Sequence, residues 1–116
     1  MRNKTLGLIR KIVRRFHIVY ETTSERRFLR VAKFIGIPEE TIEHELSHAK
    51  KIRELGYSPT RYIAQKSPGY HVCYVGSPKN MPLDKQIQVA MAPEHPSDQD
   101  YELVRKFQME LDSVPN

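Results

Sequence analysis

The pattern H-E-x-x-H is the part of this sequence whose residue types and spacing could do chemistry. It consists of His44, Glu45 and His48, with Leu46 and Ser47 between them. On a helix, side chains four positions apart lie one turn apart on the same face, so both imidazoles can reach one metal ion. Two nitrogen ligands beside a carboxylate are typical of zinc proteases, in which the carboxylate takes a proton from a water molecule that the metal activates. We therefore expect Zn²⁺ at His44 and His48 and a general base at Glu45.

The residues around the motif predict the helix that this chemistry needs. Pro38 suits a first helical turn, and Gly56 supplies a stop. Between them, Ile42, Leu46 and Ala49 follow the spacing of a stripe that faces the core. The two histidines lie away from this stripe, so they face something other than the main core. We predict a helix over residues 38–55.

Three further helices are expected. The first covers about residues 4–16, and the second runs from about residue 22 to 35. The last begins at Ser97, because Ser97 and Asp100 have the spacing of a capping box.

The middle of the chain changes to the two-residue period of strands. We predict strands at residues 62–64, 70–75 and 87–91, separated by turn-forming residues. Their connections are too short for parallel crossovers, so the sheet should be antiparallel. Residues 18–20 fit either a strand or a bend. The fold class predicted is α+β, with about four helices and a small three-stranded antiparallel sheet.

The composition indicates one domain. A chain of 116 residues can bury a single real core, and we treat residues 1–116 as one unit. The lone cysteine, Cys73, excludes an internal disulfide. No apolar run approaches the ~18 residues of a transmembrane helix, and the N-terminus lacks the features of a signal peptide. We therefore expect a cytoplasmic protein.

Basic residues are concentrated near the N-terminus of a chain whose net charge is +5. They interrupt a helical stripe formed by Leu6, Ile9, Val13 and Phe16. Such a helix could bind nucleic acid or an anionic membrane surface. It could equally be a surface helix with its apolar stripe on the core and its charges in water. We favour the second interpretation and expect no nucleic-acid partner, because no interleaved aromatic motif accompanies the charge.

A catalytic zinc site needs a third protein ligand from elsewhere in the chain. His95 lies between Pro93 and Pro96, which limit its backbone freedom, just before the last predicted helix. A polar turn would explain the same residues equally well. The alternatives are His71 and three carboxylates, which are Glu94, Asp98 and Glu102.

Taken together, these features of the chain resemble those of a known family. Its short length, the H-E-x-x-H motif, the predicted three-stranded middle and the segment 94–98 before a C-terminal helix are similar to the minigluzincins. These are short soluble zinc metallopeptidases related to gluzincins and to the catalytic domains of integral-membrane peptidases. The resemblance implies a minimal zincin-like domain that hydrolyses peptide or protein substrates. It also implies a histidine as third ligand, which maps onto His95, and latency conferred by a C-terminal tail at about residues 112–116.

Two other functions remain open from the sequence. A fourth protein ligand would close the metal site and leave a zinc-binding module without catalysis. A basic nucleic-acid-binding protein could carry the H-E-x-x-H pattern by chance.

Overall fold

Three strands and four helices make up the part of the chain that the computed structural model describes, residues 17–113. In chain order they are β1 (Ile18–Thr22), α1 (Glu25–Phe34), α2 (Glu39–Glu54), β2 (Tyr62–Ser67), β3 (Tyr70–Val75), α3 (Leu83–Ala90) and α4 (Asp98–Asp112). The predicted α+β class with a three-stranded antiparallel sheet is confirmed. The helix predicted over residues 4–16 lies outside the described residues.

The sheet has the order β1-β2-β3, and both neighbouring pairs are antiparallel. β2 and β3 form a hairpin in which Ser67 pairs with Tyr70 across Pro68 and Gly69. Gly69 has a φ of 86°, and a Pro-Gly turn needs a residue that accepts positive φ at its second central position. Because β2 lies between them, β1 and β3 are the two edge strands of the described sheet.

The core lies between one face of the sheet and the helices α1 and α2. Strand alternation turns Ala64 and Cys73 toward this inner face, where both are buried. The core side chains of the two helices are Phe28 and Ala32 from α1 and Ile42, Ala49 and Ile52 from α2. This stripe fixes the rotation of α2 about its axis, so the direction in which the H-E-x-x-H side chains project is set by the core.

The prediction of a strand at residues 87–91 is wrong, because this segment belongs to α3. The backbone N–H of Gln86 donates to the carbonyl of Pro82 at 3.0 Å, which is a helical first turn. Pro82 is the N-cap, and Asp84 complements the positive end of the helix dipole. The alternation of apolar residues at 87, 89 and 91 is typical of a strand, but the helix that begins after the N-cap Pro82 continues through this segment. The third strand of the sheet is instead β1, where the sequence fitted either a strand or a bend.

α4 packs mainly against α3 and has no fully buried residue. It begins with the predicted capping box, in which the Ser97 hydroxyl accepts from the Asp100 backbone N–H and the Asp100 carboxylate accepts from the Ser97 N–H. Within residues 17–113, no helix is long and apolar enough to cross a bilayer.

Candidate metal centre

The structure brings His44, Glu45 and His48 together on α2. Each offers one ligand atom, and these atoms all lie within 4.8 Å of one another. The two imidazole rings are 5.0 Å apart between centroids and nearly perpendicular, at 78°. His48 is buried, whereas His44 and Glu45 are partly exposed. The motif therefore has the local geometry that its spacing predicts, with one side open.

A backbone carbonyl from α3 sets the orientation of His48. The ring Nδ1 of His48 lies 2.7 Å from the carbonyl oxygen of Val89. Because a carbonyl can only accept, Nδ1 must carry the proton, and in neutral His48 the Nε2 atom presents a lone pair. Val89 lies in the last turn of α3, and its carbonyl oxygen also accepts from the backbone N–H of Ala92 at 3.2 Å, so the bond from His48 uses the second lone pair. This is the arrangement found in metal-binding histidines, whose second nitrogen donates to a carbonyl or carboxylate.

The carboxylate of Asp100 reaches both histidines from α4. Its Oδ2 atom lies 2.9 Å from Nε2 of His44, and its Oδ1 atom lies 3.3 Å from Nε2 of His48. The hydrogen bond from the Ser97 N–H, at 2.8 Å, holds this carboxylate in place. The Asp100 side chain is only 13% exposed. Two imidazoles and one carboxylate thus converge from two helices that are far apart in sequence.

The contact between His48 and Asp100 favours a positive charge. With Nδ1 protonated by its bond to Val89, the Nε2 lone pair of neutral His48 faces a carboxylate oxygen, and two acceptors at 3.3 Å repel. A proton or a cation between them removes the repulsion. In a tetrahedral zinc site with bonds of 2.0–2.2 Å, ligand atoms lie about 3.3–3.5 Å apart. The 3.3 Å separation matches this spacing, whereas the 2.9 Å separation is that of a hydrogen bond between His44 and Asp100, which a cation would replace. Two imidazoles and one carboxylate are donors of the kinds that zinc takes, so these residues fit a divalent cation.

Glu45 lies beside this donor set in an environment that favours its neutral form. Burial raises the pKa of its carboxyl from 4.5 to about 8, and the negative charge of Asp100 adds to the shift. A hydrogen bond with the backbone of Val75 partly opposes it. A nearby dication would lower this pKa, because it favours the charged carboxylate. Glu45 is therefore a carboxyl whose protonation depends strongly on the charge placed next to it.

Cys73 on β3 lies close to Glu45, and its surroundings disfavour the thiolate. Burial, with a contribution from the charge of Glu45, raises the pKa of its thiol to about 12. Its side chain is nearly inaccessible, at 8% exposure. Cys73 is a packed core residue and not part of the donor set.

Two clefts meet at Glu45. The larger, of about 470 Å³, lies between β3, α3 and α4 and includes Val89, Leu103 and Phe107 in its wall. The second, of about 420 Å³, lies between α2 and β3 and is lined by His44 and His71. Five residues line both clefts: Glu45, Val72, Cys73, Ser97 and Gln99. Together the clefts form a path along the edge strand β3 that passes Glu45.

The other residues predicted from the sequence lie outside this group. His95 is exposed in the loop between α3 and α4, and it is not among the described residues that converge with His44 and His48. Glu94, Asp98 and Glu102 are also exposed. The assignment of His95 as third ligand stays a prediction. Of the proposed inhibitory tail, Asp112 is the last residue of α4, and residues 114–116 lie outside the described residues.

Asp100 is the site residue that sequence reasoning missed. The sequence predicts its position in the Ser97 capping box, and that role alone explains an acidic residue there. A capping carboxylate has four lone-pair sites, however, and the Ser97 N–H uses only one of them. The other lone pairs of the Asp100 carboxylate face the imidazoles of His44 and His48. No signal in the sequence separates this second role from capping, because the box lies two strands and a helix beyond the H-E-x-x-H pattern.

Comparison of the chain with known protein families, curated proteins and solved structures found no match in any of the three.

Proposed function

We propose that this protein is a zinc-dependent peptidase in which His44, His48 and Asp100 hold the metal and Glu45 is the general base. The observation that carries the proposal is the convergence of two imidazole Nε2 atoms on one carboxylate, at 2.9 and 3.3 Å. We assign the third ligand to Asp100 in preference to His95, because Asp100 is held on the histidines by its capping bond, while His95 is exposed. The resemblance to minigluzincins supports the same activity.

The protein side chains would divide the work as follows. When bound, zinc supplies Lewis-acid polarisation of a substrate carbonyl and makes a water molecule more acidic. Three protein ligands leave a fourth position open, as in catalytic and not in structural zinc sites. Glu45 accepts the proton of the attacking water and passes it to the leaving amine. Burial raises the pKa of Glu45 to about 8, and a cation held by the three ligands would lower it, which would make the carboxylate available as a base near neutral pH.

The edge of β3 is the proposed seat of the peptide substrate. Within the described sheet, β3 has β2 on one side only, so its other edge carries free backbone donors and acceptors. An extended peptide that pairs with this edge would lie along both clefts and pass Glu45. The apolar wall at Val89, Leu103 and Phe107 would accept a hydrophobic side chain of the substrate.

The experiment that tests the proposal is substitution of the general base. Glu45→Gln should keep bound zinc and lose hydrolysis of an unfolded casein substrate by at least about 10²-fold, since general-base catalysis contributes about 10²–10⁴. Glu43→Gln is the matched control, because Glu43 is an exposed residue of the same helix. Undiminished hydrolysis by Glu45→Gln would remove Glu45 from the mechanism. Zinc binding by the unaltered protein without hydrolysis of any peptide would favour a non-catalytic zinc module.

A further inference from the structure

Helix α4 is held to the rest of the described fold by one narrow face. Of its 15 residues, Asp100, Val104 and Phe107 are partly buried, and all the others are exposed. Because these three residues are four and three positions apart, they lie on the same side of the helix. Among the elements that the structure describes, α4 packs mainly on α3. The position of α4 therefore depends on two apolar side chains and one carboxylate.

The carboxylate of Asp100 makes one attractive and one repulsive contact with α2. Its Oδ2 atom accepts from the Ser97 N–H at 2.8 Å and lies at hydrogen-bond distance, 2.9 Å, from Nε2 of His44. Its Oδ1 atom lies 3.3 Å from Nε2 of His48, which presents a lone pair because its Nδ1–H donates to Val89. A cation bound among these three groups would make both contacts attractive.

The position of α4 also sets the shape of the larger cleft beside Glu45. One side of this cleft of about 470 Å³ is lined by Val72 and Val75 of β3, and the other side by Leu103 and Phe107 of α4. Leu103 and Phe107 follow Asp100 by one and two helical turns, so they move with it. Displacement of α4 would take both apolar side chains out of the wall that faces β3.

We propose that Asp100 couples the metal site to the position of α4, so that a bound divalent cation docks this helix and completes the substrate cleft. With α4 docked, the cation has three protein ligands, and with α4 displaced it keeps only His44 and His48. The cation therefore binds the docked arrangement more tightly, and by linkage it favours docking by the same factor. The inference rests on the metal site of the proposed function and does not require peptide hydrolysis.

Hydrogen exchange of the backbone amides, followed by mass spectrometry, tests this coupling, because exchange reports local opening. In the chain treated with a chelator, we expect α4 to exchange faster than α1 and β2, which carry none of the proposed ligands. Saturating zinc should slow exchange in α4 by about 5–150-fold, which is the usual range of coupling between two sites.

Two matched variants separate the coupling from the capping role of the same helical turn. In Asp100→Asn, whose amide oxygen can still accept from the Ser97 N–H, α4 should stay fast even when zinc saturates the two histidines. Asp98→Asn changes an exposed carboxylate of the same turn and should keep the full effect of zinc. Protection of α1 and β2 shows that each variant is folded, and the comparison of the unaltered chain with and without zinc needs no variant.

Zinc content, measured on the same samples by elemental analysis, distinguishes failure of this inference from failure of the proposed metal site. Absence of bound zinc would overturn both. Bound zinc that leaves α4 exchanging as fast as in the chelator-treated chain would overturn the coupling alone, and so would an α4 that is already as protected as α1 and β2 without zinc. Loss of the zinc effect in His95→Ala, with a full effect in Asp100→Asn, would overturn it in favour of an anchor in the loop before α4.

Discussion

Replacing Asp100 by Asn gives the sharpest test of how the metal is held. An asparagine at this position can still accept the capping hydrogen bond from the Ser97 N–H through its amide oxygen. It has the size of aspartate but lacks the charge that faces both histidines. The substitution therefore preserves the start of α4 while it removes the anionic ligand. Zinc affinity should fall by about 100-fold or more, since even removal of a hydrogen-bond partner of a metal ligand costs 10–100-fold.

The effect can be expressed as a change in melting temperature. Zinc at 1,000 times its Kd stabilises the native state by about 4.1 kcal/mol. A chain of 116 residues unfolds with an entropy of about 0.24 kcal/mol/K, so this stabilisation raises Tm by ~17 °C. At the same zinc concentration, a hundredfold weaker site gives about 1.4 kcal/mol and an increase of ~6 °C. Asp100→Asn should thus lose roughly two thirds of the zinc-induced rise in Tm.

Differential scanning calorimetry with and without zinc measures this rise for each variant separately, so any change in the metal-free protein is subtracted. Asp98→Asn is the control, because Asp98 lies in the same helical turn and is exposed. His95→Ala tests the ligand that the sequence predicted. A full zinc-induced rise in Asp100→Asn, combined with a reduced rise in His95→Ala, would refute the assignment of Asp100 and support His95.

Three further predictions concern the fold. Phe28→Ala should lower the free energy of unfolding in urea by about 3–5 kcal/mol, because Phe28 is fully buried; a loss below ~1 kcal/mol would contradict the described core. Gly69→Ala should cost about 1 kcal/mol from its φ of 86° alone, since nothing lies near the added methyl group; unchanged stability would argue against this turn. Cys73 should react with iodoacetamide at pH 8 more than ~10³-fold slower than in urea and faster as pH rises, because its pKa is about 12; equal rates would contradict its burial.

The parts of the site that are local in sequence could be predicted, and the distant part could not. His44 and His48 are brought together by one helical turn, which the spacing alone determines. Asp100 lies 56 positions after His44, and its place depends on how α4 packs on α3. Nothing in the first-turn pattern of α4 distinguishes a carboxylate that only caps the helix from one that also faces two imidazoles.

The segment 83–91 shows why the hydrogen-bond partner of His48 could not be predicted from the sequence. Its apolar alternation favoured a strand, and a strand there would have used the carbonyl of Val89 in sheet pairing. Because Val89 instead lies in the last turn of α3, its carbonyl oxygen lies 2.7 Å from Nδ1 of His48. The error in secondary structure therefore concealed the contact that fixes the tautomer of His48.

The most direct test of the account is the zinc content of the purified chain after reconstitution and gel filtration, measured by elemental analysis beside a double variant, His44→Ala with His48→Ala. We expect one zinc per unaltered chain and none in the double variant. Absence of zinc from the unaltered chain, or equal zinc in both proteins, would contradict it.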